Sequence, residues 1–447
     1  MALSPEKSRQ MKIQPVKGTR DFYPPQMAVR NWIIDGWKRV SIRNGFEEYD
    51  GPIFEYLDMY QIKSGEEIVE QLFSFEDRGG RKLAIRPEIT PTLARMVNQQ
   101  IHSLPRPIKW FSVPRLCRAE RPQKGRLREF FQWNIDIIGI DDVLADAEVI
   151  FTTVDYLREV GLTPKDIKVK ISSRKLLGAF LRGTGIGEEK LEAVYVVLDK
   201  KAKLPADTFE EILKEQVPDK KMAGKILDFM SVDSIPDVEK QIKADSEQFG
   251  AWGEVKSVLG RLDMMGIGDF CRYDPSIVRG LAYYTGIVFE VHDIVGELRA
   301  ICGGGRYDNL LQDFGGPAVP ATGMGMGDCV LEILLRGKGV VDERLPVRRL
   351  DYFVAYVDDA YKNEAVELTM RLRSAGCSAN FSYKAGKLGK QLKEASGQNA
   401  ERCAIIGDEY KEGNLNVKDM GTGEQKVVSY EEFLDSCLRR NDKTAQE

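Results

Sequence analysis

No apolar run in the 447 residues approaches the ~20 needed to span a bilayer, so a transmembrane helix is not expected. The N-terminal stretch MALSPEKSRQMKIQPVKGTR lacks an apolar h-region, so no secretory signal is expected and the cytoplasm is the expected compartment. No C-x-x-C pair occurs. The seven cysteines, Cys117, Cys271, Cys302, Cys329, Cys377, Cys403 and Cys437, are dispersed. That pattern argues against a structural zinc site and fits reduced thiols. Positive charge is not in excess: 65 Lys and Arg face 69 Asp and Glu, for a net charge of -4. Global electrostatics therefore cannot draw in a polyanion, and any such contact must use local patches. There is no internal repeat. The glycines of GMGMGD at Gly323 alternate and do not form G-x-G-x-x-G, which excludes a Rossmann dinucleotide site.

What is present is an ordinary globular balance, 43% hydrophobic and 30% charged, in a chain long enough for about three domains. Two basic patches stand out. Arg115, Arg118, Arg121, Lys124, Arg126 and Arg128 face one acid, Glu120. Lys384, Lys387, Lys390 and Lys393 have the spacing of one helix face, which by itself reads as solvated surface.

The hydrophobic pattern sets out the elements. Val29, Trp32, Ile33, Trp37 and Val40 recur at helical spacing between Pro24 and Asn44, and Gly45 is a good stop. FEEYDGPIFEYLDMY follows as a strand. WFSVPRLCRAE and REFFQWNIDIIGI read as two strands joined by the polar loop RPQKGRL. Alternation puts Phe130, Gln132, Asn134 and Asp136 on one strand face, which suits a pocket wall better than a core. From 173 to 260 the chain turns Lys-, Glu- and Asp-rich with helical periodicity and carries no chemical motif. Glycine-rich β-type sequence returns from 261 to 337. The stretch 338–347 reads as a linker. From 348 to 447 strand and helix alternate as in a small α/β domain, ending in a frayed tail, RRNDKTAQE.

Four short stretches could carry chemistry. Arg118 and Glu120 close the first strand of the pair. An arginine there suits a structural ion pair or a phosphate, and Phe130 returning beside them could stack on a nucleobase. In IRPEITPTLAR, Glu88 and Thr90 share a face if extended and suit an ammonium group; Thr90 equally suits a helix N-cap before Pro91. VRGLAYYTG offers Arg279, Tyr283 and Tyr284. CGGGRYDNLL offers Gly303, Gly304 and Gly305, which permit close backbone approach to a ligand or form a bulge.

In the order KGTRDFYP, a strand at Pro52, RPEITP, CRAERPQKGRLREFFQ, VRGLAYYTG, GGGRYDNL and a final glycine strand, the chain resembles the histidyl-tRNA synthetases over nearly its whole length. The resemblance implies an α+β catalytic domain in two parts, 1–172 and 261–337. Its antiparallel sheet would be flanked by helices, with a helical insertion at 173–260 and an anticodon-binding α/β domain at 348–447. It implies ATP-dependent ligation of L-histidine to tRNA(His) through an adenylate, with Mg²⁺, by a homodimer joined through the helix and strand near Pro52. Arg118 and Arg279 would be catalytic, holding the α-phosphate, and Glu120 and Phe130 would bind adenine. Glu88, Thr90 and Gln132 would hold the ammonium group, while Asp136 and Tyr284 would read the imidazole, with Tyr283 and Gly304 completing that pocket. Arg121, Gln123, Lys124 and Arg126 would meet the tRNA acceptor end. No protein side chains are assigned to a metal.

The chemistry is consistent with those roles. Attack of an ionised carboxylate on phosphorus builds charge on phosphate oxygens, so fixed guanidinium groups serve it and no protein base is required. One position departs from the family: where the third motif carries an arginine over adenine, this chain has Val330. The alternative activity is a non-catalytic paralogue that senses histidine, of the type found as the regulatory subunit of ATP phosphoribosyltransferase. Such proteins typically lack the VRGLAYY arginine and the last domain, and this chain has both. A prolyl, threonyl or glycyl synthetase is disfavoured by R-G-L-x-Y-Y and the triple glycine.

Overall fold

A computed structural model describes residues 13–61, 72–201, 204–232, 234–243, 246–279, 283–347, 349–384 and 386–435. The chain divides into two compact units, residues 1–345 and 346–447. Among the described residues no helix is long and apolar enough to cross a membrane.

The first unit is built on a nine-stranded sheet. Its strands are β1 (Glu47–Glu48), β5 (Ile108–Ser112), β6 (Arg115–Cys117), β7 (Glu129–Ile138), β8 (Ile167–Ser173), β9 (Cys271–Tyr273), β10 (Ile287–Asp293), β11 (Cys302–Arg306) and β12 (Ala321–Gly327). The order is β1-β5-β7-β12-β11-β10-β8-β9, with β6 paired to β7. Only the outer pairs, β1 with β5 and β8 with β9, are parallel. A separate three-stranded sheet is formed by β2 (Phe54–Tyr56), β4 (Lys82–Ile85) and β3 (Phe73–Glu76).

Alternation decides which face of the large sheet is core. Trp133, Ile135 and Ile137 of β7 point into the main hydrophobic core. Helix Pro24–Arg43 packs on that side through Val29, Ile33, Trp37 and Val40. Trp37 stacks on Trp133 with ring centroids 6.2 Å apart, and the Trp133 indole donates to Ser41 Oγ at 2.8 Å. Losing an aromatic of this kind from a core costs ~3–5 kcal/mol.

Several local expectations change. FEEYDGPIFEYLDMY breaks into β1, β2 and a short helix, Leu57–Gln61. Helix Thr90–Gln99 starts at Thr90 itself, so Thr90 is neither extended with Glu88 nor the cap; Ile89 holds the cap position without a side-chain bond. Helices follow one another from Arg174 to Met264, and their apolar faces are continuous with the core behind the sheet. Within 338–347 a helical turn, Val340–Arg344, buries Val340 and Val341, so this stretch is partly core.

The second unit has a five-stranded sheet, β14 (Ala379–Phe381), β13 (Leu350–Tyr356), β15 (Ala400–Ile406), β16 (Asn414–Asp419) and β17 (Gln425–Ser429), in that order. β13 to β15 pair in parallel, with helices Lys362–Ser374 and Leu388–Gly397 between them. The hairpin β16–β17 has no counterpart in the sequence reading. Lys384 and Lys387 precede the helix that carries Lys390 and Lys393, so the four exposed lysines do not share one helix face. The tail RRNDKTAQE lies outside the described residues.

Candidate active site

The face of β7 opposite the core carries Phe130, Gln132, Asn134 and Asp136, and the neighbouring strand makes room for them. In β12, Gly323 pairs with Asp136, Gly325 with Asn134 and Gly327 with Gln132, while the intervening Met324 and Met326 enter the core. A Cβ on Gly323 would lie 2.0 Å from Asp136 Oδ1, and one on Gly325 would lie 2.9 Å from Gln132 Nε2. The alternating glycines of GMGMGD are thus the floor beneath the polar row of β7.

At one end of this face is Asp136, 2% exposed. It accepts a hydrogen bond from the Tyr307 hydroxyl at 2.5 Å, and its Oδ2 has no protein partner among the described residues. Burial pushes its carboxyl up to about 7, against the pull of the Tyr307 bond. Tyr283 packs edge-on against Tyr307, with centroids 5.8 Å apart, and lies 5.1 Å from Tyr284. The Tyr283 hydroxyl donates to Glu88 Oε2 at 3.2 Å. Glu88 is buried, and its other oxygen is without a partner among the described residues. Burial raises its pKa, with the nearby Arg118 charge opposing.

Arg118 donates from Nε to the Pro87 carbonyl at 3.1 Å, and its guanidinium lies 5.3 Å from the centre of the Phe130 ring. Glu120 is buried and ion-paired with Arg126. Gln123 and Arg126 close the loop tip by reciprocal backbone bonds of 2.9 Å, leaving Arg121, Gln123 and Lys124 exposed. Gly125 sits on Val330: a Cβ there would be 3.0 Å from Val330 Cγ2.

Arg279 stands in the left-handed region, at φ 65°. Its Nη1 is 2.6 Å from Glu290 Oε1, its guanidinium is 5.7 Å from the Tyr284 ring centre, and Nε has no partner among the described residues. Burial works against its charge, but Tyr284 and Glu290 outweigh that and hold its pKa above the ordinary arginine value. Glu290, also bonded to His292, is held down at about 2 despite burial. The guanidinium lies on Gly303, where a Cβ would be 2.5 Å from Nη1. Gly304 is pressed against the next strand instead, its Cβ position 2.2 Å from the Gly323 carbonyl. The triple glycine therefore serves close packing of strand and arginine. Gly280, Leu281 and Ala282 of the VRGLAYY element lie outside the described residues.

Tyr307, Glu290 and Arg306 escaped the sequence reading. Arg306 turns away from the face into a buried pair with Asp146 at 2.5 Å and is a structural brace. Tyr307 follows it in GGGRYD, and only the sheet register carries it to Asp136. Thr90 is half-buried at the start of its helix, with no side-chain bond to Glu88 described. Among the described residues no group of three or more His, Cys, Asp or Glu side chains is arranged to hold a metal.

Residues 18–327 match the family model described as histidyl-tRNA synthetase, and residues 351–440 match that of an anticodon binding domain. A chloroplastic/mitochondrial histidine–tRNA ligase of Arabidopsis thaliana is 39% identical over 421 residues, 94% of this chain and 86% of the relative. A histidine–tRNA ligase of Opitutus terrae is 38% identical over 423 residues, 94% of this chain and 96% of the relative. The solved histidyl-tRNA synthetase of a Nostoc species has the same fold, with a TM-score of 0.79 at 24% identity over 96% of this chain and all of that one. A mostly antiparallel sheet with flanking helices, followed by an anticodon-binding fold, defines a class II aminoacyl-tRNA synthetase. Within that class, the chain belongs to the histidyl-tRNA synthetase family.

Proposed function

We propose that this chain ligates L-histidine to tRNA(His) by way of a histidyl-adenylate, consuming ATP and releasing AMP and diphosphate. The observation that carries this reading is the set of buried polar atoms with no protein partner among the described residues, Glu88 Oε1, Asp136 Oδ2 and Arg279 Nε. Buried polar groups are ordinarily satisfied, so such a cluster fits groups that a ligand completes. Two acceptors and one donor match a substrate bearing an ammonium group, an imidazole N–H and a carboxylate facing a phosphate.

In this reading Glu88, Thr90 and Gln132 orient the ammonium group. Asp136, aligned by Tyr307, accepts from the imidazole, with Tyr283 and Tyr284 shaping the pocket. A site built around such a bond rejects analogues that lack the donor. Glu120 and Phe130 bind adenine. Arg118 and Arg279 bear on the α-phosphate, where charge grows during attack. Mg²⁺ would neutralise the outer phosphates, ligated chiefly by their oxygens and water. Arg121, Gln123, Lys124 and Arg126 meet the acceptor end, and the unit from 346 onward meets the anticodon. The compartment is the cytoplasm.

Pyrophosphate exchange measured across the amino acids tests the reading. Exchange is expected with histidine and Mg²⁺. Histidine binding without exchange would favour the sensing paralogue, and exchange with proline or threonine alone would move the substrate assignment.

A further inference from the structure

KGTRDFYP has a place in the structure that the proposed chemistry does not use. Residues 13–23 run without regular structure and cross the hairpin between β6 and β7 at two points. At the first, Gly18 lies at φ 91° in a turn closed by Thr19, whose N–H and hydroxyl both donate to the Val16 carbonyl. The Gly18 carbonyl accepts from the Arg128 N–H at 2.8 Å, and the Arg128 guanidinium reaches the Lys17 carbonyl at 3.4 Å. A Cβ on Gly18 would stand 2.6 Å from Pro122 Cγ, so glycine is required both by the backbone angle and by this contact. Arg128 also donates to the Glu120 carbonyl at 3.0 Å and accepts from the Arg118 N–H at 2.8 Å. The chain crossing here therefore bears on both Arg118 and Glu120 through one residue.

The second point is Arg20. Its Nη2 is 2.5 Å from Asp328 Oδ2, and Nη1 is 3.7 Å from Glu332. Asp328 is buried at the start of helix Asp328–Gly337, and its other oxygen accepts from the Phe131 N–H at 3.0 Å. Phe131 lies between Phe130 and Gln132. Phe22 then packs edge-on to Phe131, with centroids 6.3 Å apart, and takes the Arg20 and Arg30 guanidinium groups at 4.8 and 5.2 Å.

We infer that Lys17–Phe22 is a strap that sets the position of the Arg118–Arg128 loop for ATP, with Gly18, Arg20 and Asp328 as positioning residues. The loop tip is exposed and closes chiefly on itself, whereas the Arg128 root is bonded to the strap and the Arg118 root is bonded in turn to Arg128. Val330, under Gly125, brings only an apolar surface to the same loop; the polar ties of its roots run to the strap through Arg128 and to the Pro87 carbonyl through Arg118. Glu88 and Asp136 are bonded to Tyr283 and Tyr307; of the proposed histidine contacts, Gln132 adjoins the strap's reach, through Phe131 and the Arg20–Asp328 tie. Loosening it at Gly18 should therefore affect ATP and spare histidine, whereas loosening it at Arg20 also reaches Gln132.

The inference rests on the proposed function, and the test separates the two. Gly18→Ala, Arg20→Ala and Arg20→Lys are compared with the unmodified full-length chain in histidine-dependent pyrophosphate exchange. KM for each substrate, the active fraction by adenylate burst, and Tm are recorded. Misplacement of a binding group by about an ångström can cost up to roughly 10²-fold. The expected result is a KM for ATP raised about tenfold or more, within that limit, in both alanine variants. KM for histidine should be unchanged in Gly18→Ala, and Arg20→Lys should be closer to the unmodified chain than Arg20→Ala. Gly18→Ala keeps every charge, so it reports even if Arg20→Ala, which strands Asp328, fails to fold. A lower Tm or active fraction with both KM values unmoved would reduce the strap to scaffolding and overturn the inference. Both KM values rising together in Gly18→Ala would do the same. No histidine-dependent exchange by the unmodified chain would instead overturn the function, and the inference with it.

Discussion

Arg279 and Glu290 form an ion pair at 2.6 Å, with the arginine backbone at φ 65° and the guanidinium lying on Gly303. The pair occupies Nη1 and leaves Nε open among the described residues. If Arg279 meets the α-phosphate, its contact strengthens as phosphorus becomes five-coordinate. Arg279→Ala should then slow single-turnover adenylation by roughly 10²-fold or more, the scale for one preorganised donor. Lysine should rescue only in part, lacking the planar fork. If the arginine only braces β10, the alanine variant loses Tm and keeps its rate per folded molecule. Measuring both on one preparation decides the matter.

Gly303→Ala probes the same arginine without removing it. The new methyl would stand 2.5 Å from Nη1 and 3.0 Å from the Phe289 carbonyl, so the guanidinium must move first. A folded variant with slow adenylation and near-normal histidine KM is expected. Unchanged adenylation would show that the position of the guanidinium over Gly303 is immaterial.

Asp136 ties stability to pH. Its carboxyl is raised by burial from 3.8 to about 7 in the folded chain. Between those values the folded state holds a proton that the unfolded state has lost, so stability falls as pH rises through the window. Asp136→Asn should remove this loss, which is of the order of a few kcal/mol for a shift of this size. Urea midpoints of the two proteins from pH 4 to 8 should diverge in favour of asparagine as pH rises. Parallel profiles would show that Asp136 is already ionised in the folded chain at low pH. The same variant should lose histidine affinity, as titration calorimetry would report.

The small sheet exposes Ile53, Phe54, Tyr56 and Phe75, with Phe54 and Phe75 edge-to-face at 6.1 Å. A contiguous apolar patch near Pro52 fits a self-complementary interface, and two-fold dimers are the commonest assembly. The unmodified chain should sediment at twice 50.5 kDa, and Phe54→Asp with Phe75→Glu should shift it toward the monomer. An active monomer at micromolar concentration would rule out an obligate dimer.

Ending the chain after Leu345 follows the boundary between the two units. The proposed ATP and histidine contacts all lie earlier, so histidine-dependent exchange should persist while charging of tRNA(His) falls sharply. Equal loss of both would mean that the last unit supports catalysis.

The sequence by itself determined what depends on near neighbours. Helix Pro24–Arg43 was legible because Val29, Ile33, Trp37 and Val40 make one apolar stripe. The polar row of β7 was legible because side chains alternate across a strand. The motif order was sufficient for the family. The four-lysine helix face failed because spacing carries no information about where a helix begins, and Lys387 is its cap. The hairpin β16–β17 went unread because its strands are half-exposed and polar, with little apolar alternation to signal them. Only the tertiary structure decided that Tyr307 meets Asp136 across 171 residues of sequence and that Arg20 meets Asp328 across 308. Those partners are selected by sheet register and by burial, which make an unpaired charge or hydroxyl costly. Neither constraint exists until distant strands have been brought side by side.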